Sequence, residues 1–366
     1  MGDPPNRKRW RGWLLCLMLL ACPSLAAAVL EVRELRDDPP VAEVLSGAHD
    51  HRLLPAYDRP YLTQPTREVQ WWRITTAAPV AAQDAPQLVM RSPFLYRVEA
   101  WAPGAATPTR HALYGPDADY RYSHRALVIE LPAGIPAGEA VWLRVENRSG
   151  VIAPLAIEPL DQVHKEDLLY VAWRTLVFTT LAVLAILGLS FWGGTGERSY
   201  AYFSAMLACA IGFLAAVHGD LRWVPGLEAL FGAGPRANRI LGGLGVVFSN
   251  LFMASYLGVD RTAPALHRAL HASTLVAAAT AACSLVLDWR LLQWSGNFAL
   301  IYSAAVLLLA AAVLALRGAR AARVVLASWS ALMVFCALSA AQMMGLWVGP
   351  TWLREGLAAS FVMASL

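Results

Sequence analysis

Hydrophobic positions follow two different patterns along this chain. Up to about residue 160, apolar residues alternate with polar ones in short runs, such as Glu68–Thr75 and Ala140–Glu146, and Pro and Gly separate these runs. Alternation with a period of two is typical of strands that bury one face. After Leu168 the apolar runs become long and continuous. The pattern therefore predicts an all-β sandwich of roughly eight strands, followed by an all-α domain.

The long apolar runs have the length of membrane-spanning helices. Most of them approach the ~20 residues that cross the hydrocarbon core of a bilayer. Six complete spans are predicted, at residues 168–192, 200–217, 240–257, 272–287, 294–316 and 324–348. A seventh opens at Trp352, but residues 352–366 are too few to complete it. We therefore expect a polytopic membrane domain over residues 161–366 whose seventh span is truncated.

Residues 1–28 have the three-part form of a secretory signal peptide. Basic residues between Arg7 and Arg11 precede the apolar run Trp13–Leu20 and the small residues Ala26–Ala28. In an alternative interpretation, the residues up to Cys22 form a lipoprotein box and this cysteine is lipidated. Both interpretations export the domain that follows. We therefore expect the β domain, residues 29–160, to be extracytoplasmic.

Composition and charge distribution favour a bacterial inner-membrane protein. The chain is 57% hydrophobic and only 15% charged, which is too apolar for an ordinary soluble protein. Arg317, Arg320 and Arg323 cluster in a loop predicted to face inward. The predicted signal peptide places the β domain in the periplasm and the C-terminal end in the cytoplasm, and the positive-inside rule independently agrees. This topology explains the net charge of +4, so we expect membrane lipid and no nucleic acid among the partners.

The cysteines argue against thiol and metal chemistry in the exported domain. Cys16 and Cys22 lie in the predicted signal peptide, and Cys209, Cys283 and Cys336 lie in apolar runs. The β domain therefore has no disulfide, and no Cys/His cluster has metal-ligand spacing. No nucleophile, carboxylate pair or catalytic triad stands out either. We expect no metal site, no cofactor and no catalytic residue in this sequence.

Few polar groups interrupt the predicted spans. Charged residues lie only near the span ends; Arg174, one turn inside the first span, can extend its side chain toward the interface. Ion-coupled transport needs ionisable groups near mid-membrane, so this pattern argues against it. We interpret Ser249, Asn250 and Asn297 as interhelical hydrogen-bonding residues rather than ligand groups. The glycines of Gly242–Gly245 permit close helix approach in the third span.

A short polar segment after the second predicted span is a candidate for signal coupling. It lies on the predicted outer side, where it can contact the β domain and pass a signal into the helices. An ordinary solvated loop is the alternative. The coupling candidates are His218, Asp220, Arg222 and Trp223.

Aromatic residues are numerous in the β domain, and sugar-binding sandwiches use exposed aromatic faces. Strand alternation places Trp72 and Ile74 on one face and Trp71 and Arg73 on the other. At most one of the paired tryptophans is then forced into the core. Residues 120–125 mix aromatic, basic and hydrogen-bonding groups most densely, although core packing is the alternative for most aromatics. The ligand-binding candidates are Trp71, Trp101, Tyr120, Tyr122, His124 and Arg125.

Four segments carry a resemblance to a known family. Gln70–Ile74, Leu88–Trp101 and Val141–Gly150 resemble three strand regions of that family's extracellular jelly-roll domain. Glu197–Phe203 resembles the short inner loop and aromatic entry of its second span. The order of the elements is also the same. The chain therefore resembles the bacterial seven-transmembrane receptors with diverse intracellular signalling modules.

This resemblance implies a receptor. It implies that the sandwich is jelly-roll-like and binds carbohydrate or another small molecule. It also implies a cytoplasmic output module, a diguanylate cyclase or a histidine kinase, that this sequence does not reach. We expect a transmembrane signalling receptor that acts on an output module in cis or on a signalling partner, and dimerisation would suit such outputs. The alternative is a transporter without ion coupling, or an envelope-assembly protein, with an exported accessory domain.

Overall fold

The computed structural model of the chain contains a β domain followed by a bundle of long helices. It describes residues 30–55, 61–62, 69–91, 95–112, 121–123, 125–147, 151–152, 155–224, 226, 236–287, 290–343 and 352–365. The predicted signal peptide lies outside these residues. The sheet-rich part extends to Pro159 and the first long helix begins at Leu160. The predicted fold class, a β domain followed by an all-α membrane domain, is confirmed.

The described part of the β domain forms two main antiparallel sheets. Its strands are β1 (Leu30–Leu35), β2 (Leu54–Pro55), β3 (Tyr61–Leu62), β4 (Val69–Thr76), β5 (Pro86–Met90), β6 (Leu95–Trp101), β7 (Thr109–His111), β8 (Leu127–Glu130), β9 (Ala140–Asn147), β10 (Val151–Ile152) and β11 (Leu155–Pro159). One sheet has the order β2-β1-β4-β9-β6-β7 and the other β11-β5-β8, and β10 pairs with β3. The alternating runs of the sequence therefore correspond to the long strands.

The two main sheets pack face to face over an apolar core. On the inner face of the six-stranded sheet, Trp72 pairs across the strands with Leu143, and Ile74 pairs with Val141. These side chains contact Leu88 and other apolar residues of the three-stranded sheet, and all five are fully buried. Period-two alternation places these residues on one face, so the sandwich follows from the pattern.

The outer face of the six-stranded sheet is also covered, which the sequence pattern does not indicate. A short helix α1 (Val41–Leu45) and the segment around Leu53 lie over it, and Val44 and Leu53 are buried there against Trp71 and Trp101. Trp71 and Trp72 are therefore both 0% exposed. The expectation that at most one of the pair is forced into the core is wrong, because this second layer buries the opposite face as well.

The helical domain is built mainly from long apolar helices, with a single-turn helix between two of them. Their bounds are α2 (Leu160–Thr195), α3 (Arg198–His218), α4 (Arg236–Leu257), α5 (Val259–Thr262), α6 (Pro264–Val286), α7 (Arg290–Leu316), α8 (Arg320–Met343) and α9 (Trp352–Ser365). Among the described residues, six are long and apolar enough to cross a membrane: α2, α3, α4, α6, α7 from Trp294, and α8 to Gln342. These match the six predicted complete spans. In α9 the apolar part is the shorter segment Gly356–Ser365.

The long helices form a closed ring in which sequence neighbours pack together and α9 contacts α2. We call the end of the bundle beside the β domain the near end. Close packing of α4 on α6 depends on Gly243, because a Cβ atom there would lie 3.0 Å from the Ala277 carbonyl oxygen. Asn250 of α4 donates hydrogen bonds to Thr274 of α6 and Ser303 of α7, each at 3.1 Å. The predicted roles of the span-three glycines and of Asn250 agree with these contacts.

Candidate functional site

The two domains meet where β11 continues directly into α2. Pro159 ends the strand and Leu160 begins the helix, with no residue between them. In the first turns of α2, Val163 is 1% exposed and packs on Val89 of β5 and Val128 of β8. The three-stranded sheet and the first long helix therefore share a small apolar core. A displacement of this sheet acts directly on α2.

An ionic cluster surrounds this contact. Arg91 pairs with Glu158 of β11 and, at 2.8 Å, with Glu166 of α2. Arg125 pairs with the same Glu166 at 2.9 Å and with Asp167 at 2.6 Å. We call these five residues the junction cluster. Their side chains are only 16–29% exposed, so these ion pairs are less screened by solvent than ordinary surface pairs.

Glu166 is the central acceptor of the junction cluster. It lies before Leu168, where the apolar stretch of α2 begins, and it also accepts a hydrogen bond from Gln162 at 3.0 Å. Burial alone would raise the pKa of this carboxyl, but the charge of Arg91, the Gln162 hydrogen bond and Arg125 together lower it below its ordinary value. The carboxylate is therefore held charged, with both guanidinium groups bound to it.

The contacts continue along α2 toward the membrane. The Arg125 guanidinium lies 5.3 Å from the centroid of the Tyr170 ring. Arg174, one helical turn further, lies 6.0 Å from the same ring and 4.1 Å from that of Phe178. Glu166, Tyr170, Arg174 and Phe178 follow at intervals of four residues, so they occupy one face of the helix. We call these four residues the α2 stripe.

Arg174 then joins α2 to the near end of α3. Its guanidinium donates to Asp220 Oδ2 from Nη2 at 2.6 Å and from Nε at 3.2 Å. Asp220 opens a 3₁₀ turn, Asp220–Trp223, directly after α3. The Arg174 side chain is only 5% exposed, so it does not extend to solvent as the sequence suggested, because Asp220 gives it a buried partner.

His218 completes this end of the site. It is buried, its Nδ1 lies 2.8 Å from the Leu214 carbonyl oxygen, and its ring lies 6.1 Å from that of Tyr170. Two of the coupling candidates, His218 and Asp220, therefore contact the α2 stripe. Arg222 and Trp223 belong to the 3₁₀ turn, but their side chains lie outside the described part.

The ligand candidates separate into three groups. Arg125 belongs to the junction cluster, and Tyr122 lies beside it, packed against the apolar contact of Val163 and donating to Glu130. Tyr120 and His124 lie outside the described residues. Trp71 and Trp101 form the third group, in the second apolar core of the β domain. The four described candidates do not lie together at one surface.

Trp71 and Trp101 lie in the second core instead of on an exposed face. Their rings are 5.0 Å apart, and they are 0% and 2% exposed. The Trp71 indole donates to Asp38 Oδ1 at 3.1 Å, which satisfies a polar group that would otherwise be buried without a partner. Neither tryptophan therefore offers an exposed ring to a sugar in this arrangement, because the layer that contains α1 covers them.

Asp38 also anchors a second ionic cluster on the outer face. It accepts hydrogen bonds from Arg144 Nε at 2.9 Å and Nη2 at 2.6 Å, and Arg144 Nη1 lies 3.2 Å from Glu99. The Arg144 hydrogen bond lowers the pKa of Asp38 from its ordinary value, and the same bond raises the pKa of Arg144. We call Asp38, Glu99 and Arg144 the outer-face cluster.

Sequence reasoning missed Arg91, Glu158, Glu166 and Asp167, and it gave Arg174 no role. Only the α2 stripe had a local signal, because its residues recur every four positions. For metals, the described ranges contain no group of three His, Cys, Asp or Glu side chains placed to hold an ion. The site is therefore described by ion pairs and ring contacts that join two domains.

This architecture defines a multi-pass membrane protein whose β domain is joined, by side chains and by the backbone, to its first membrane helix. The family described as 7TM diverse intracellular signalling matches residues 170–365. The chain belongs to this family and is thereby placed among transmembrane signalling receptors. The family resemblance inferred from the sequence is confirmed, and the jelly-roll type of the β domain stays a prediction. No curated protein and no solved structure matches the chain.

Proposed function

We propose that this chain is the sensory part of a bacterial inner-membrane receptor whose β domain lies in the periplasm. The β domain binds a small molecule, with carbohydrate as the favoured class. The helical bundle relays this event to a cytoplasmic output module, a diguanylate cyclase or a histidine kinase. Family membership and the clustering of Arg317, Arg320 and Arg323 in one loop, which the positive-inside rule would place in the cytoplasm, support this arrangement. Family membership also favours a receptor over a transporter.

The observation that carries the proposal is an unbroken series of contacts from the β domain into the bundle. Arg125 of the β domain binds Glu166 and lies against the Tyr170 ring. Tyr170 in turn lies beside Arg174, which binds Asp220 at the end of α3. Two long helices therefore meet a single set of side chains that begins in the β domain.

The partners of Arg91 and Arg125 explain how a signal passes. Their carboxylates come from β11 and α2, on the two sides of the junction. Ligand binding that moves the three-stranded sheet changes these pairs, so it changes the relative free energy of two arrangements of the bundle. Coupling between two sites is typically worth about 1–3 kcal/mol, and this shifts the population of two states by up to about two orders of magnitude.

The test joins the chain through residue 366 to a reporter diguanylate cyclase. Cyclic di-GMP is measured in cells exposed to a panel of soluble sugars and cell-wall saccharides. We expect one panel member to change the output, and deletion of residues 30–159 to abolish the change. Arg174→Asp and Asp220→Arg should each lower the response about tenfold, and the double variant should recover part of it because it restores the opposite charges.

The matched control is Arg33→Asp, which breaks a pair with Glu31 whose side chains are 46% and 60% exposed. This variant should signal like the wild type, because such pairs contribute little. Equal membrane levels of all variants are checked by immunoblot. An unchanged response in Arg174→Asp would refute the coupling path, and no response to any saccharide would refute carbohydrate as the ligand class.

A further inference from the structure

A cavity lies inside the helical bundle, away from the domain junction. It has a volume of ≈ 120 Å³ and is bordered by α3, α4, α7, α8 and α9. Its walls are mostly apolar, with Leu307, Trp329 and Phe361 among the lining residues. Part of the space exists because Gly245 lines it: a Cβ atom there would have only the Cys209 Cβ atom, at 3.8 Å, within 4 Å. Small residues on facing helices therefore leave room for an apolar group.

Polar groups lie at one side of this cavity, toward the near end of the bundle. Asn238 and Arg239 are in the first turn of α4, and Asn297 is near the start of α7. Asn238 is 4% exposed, and its Nδ2 group has no hydrogen-bond partner among the described residues. The Asn297 Nδ2 group is also buried, and it likewise has no hydrogen-bond partner among the described residues. Two amide donors and one cation thus border an apolar space.

The polar and apolar sides of the cavity indicate which kind of ligand it would bind. Buried donors without a partner favour a ligand that brings acceptors, and the guanidinium of Arg239 favours an anion with two coplanar oxygens. The described lining contains no Asp or Glu that would repel such a group. A carboxylate therefore suits the polar side, and a hydrocarbon chain suits the apolar walls.

We propose that the bundle binds a single-chain carboxylate amphiphile, a medium-chain fatty acid, with its head beside Asn238, Arg239 and Asn297. An apolar cavity of about 150 Å³ holds the six carbons of a benzene molecule, so this smaller cavity holds a chain of about five carbons beyond the carboxylate and excludes a two-chain phospholipid. Because Leu357 and Phe361 of α9 line the same space, an occupant contacts the last described helix. This site is separate from the periplasmic ligand site proposed above, and its test needs no signalling output.

The test measures equilibrium binding of tritiated hexanoate to the full chain in nanodiscs of a synthetic phospholipid. Wild type should bind saturably. Ser249→Leu, which adds bulk to the lining, should weaken binding at least tenfold, and Arg239→Gln about tenfold. Methyl hexanoate, which lacks the charge, should compete at least tenfold more weakly than hexanoate.

Matched controls separate loss of the site from loss of the fold. Ser190 is exposed on α2 and Arg323 is exposed near the start of α8, so Ser190→Leu and Arg323→Gln should bind like the wild type. Gel filtration and circular dichroism check each variant. The proposal is overturned if wild type shows no saturable binding, if folded Ser249→Leu binds normally, or if the methyl ester competes as well as the acid.

Discussion

The outer-face cluster and the junction cluster use the same chemistry in different places. Both place arginine side chains between carboxylates, and both are partly buried. In the outer-face cluster, Arg144 binds Asp38 and Glu99, which all belong to the β domain. In the junction cluster, Arg125 binds Glu166 and Asp167 of α2. The first cluster holds a segment onto its own sheet, whereas the second joins two domains.

This difference shows that ion-pair chemistry alone does not identify a functional site. Loss of Arg144 leaves Asp38 and Glu99 without this partner inside the β domain, so it should lower the stability of that domain. Loss of Arg125 leaves each domain with its own core, because the sandwich and the bundle have separate apolar clusters. Its loss should therefore reduce signal transmission from the β domain to the helical bundle. Measurements that separate the stability of the β domain from signalling between the two domains therefore test whether the two clusters have different roles.

The largest free-energy change is expected for Arg144→Ala. Because Arg144 makes three charge-assisted hydrogen bonds, its loss should lower the opening free energy of the outer-face layer by about 3 kcal/mol. Hydrogen exchange of peptides from β1 and β9, measured by mass spectrometry on the full chain, gives this value. Arg110→Ala is the control, since Arg110 also pairs with Glu99 but its side chain is 67% exposed. Equal effects of the two variants would contradict the assignment.

A smaller effect, of a different kind, is expected for Arg125→Ala. It should reduce the sugar-dependent output of the cyclase fusion about tenfold, because one side of the junction loses its charge. Exchange of the β4 and β9 peptides should stay at the wild-type rate. Faster exchange throughout the β domain would show instead that Arg125 stabilises the sandwich, and the contrast between the clusters would fail.

The smallest effect is the acid sensitivity of the outer-face cluster. The folded-state pKa of Asp38 is lowered from 3.8, mainly by the Arg144 hydrogen bond. Its stabilisation is therefore complete above pH 3.8 and is lost as the pH falls through the folded-state pKa. Melting temperatures of wild type and Asp38→Asn, followed by tryptophan fluorescence, should differ at about pH 6 and converge as the pH falls below the lowered pKa of Asp38. A constant difference would exclude Asp38 as the titrating group.

Local hydrophobic patterns in the sequence predicted the main strands and the long helices. Period-two alternation in Val69–Thr76 placed Trp72 and Ile74 on the sandwich face, and apolar run length predicted the six long helices. Each of the six long helices begins before its predicted run, as with Leu160–Thr195 against 168–192, because the first turns contain polar residues and carry little apolar signal.

Local sequence patterns did not predict contacts between residues that are far apart in the chain. Trp71 is buried because α1 and the segment around Leu53, both earlier in the chain than β4, fold back over the sheet. Arg91 finds Glu166 across 75 positions, and no spacing rule relates residues so far apart. Arg174 was recognisable, since a charge inside an apolar helix usually has a partner, but its partner Asp220 became clear only from the packing of α3 on α2.

The direct continuation of β11 into α2 has a mechanical consequence. Helix α2 has 36 residues and therefore extends about 54 Å as one rigid rod. No flexible linker lies at its start to absorb movement of the sheet. A tilt of about 5° at the β domain would displace the opposite end of this rod by about 5 Å, roughly the pitch of one helical turn. A small rotation of the sandwich can thus act as a lever across the full thickness of a bilayer.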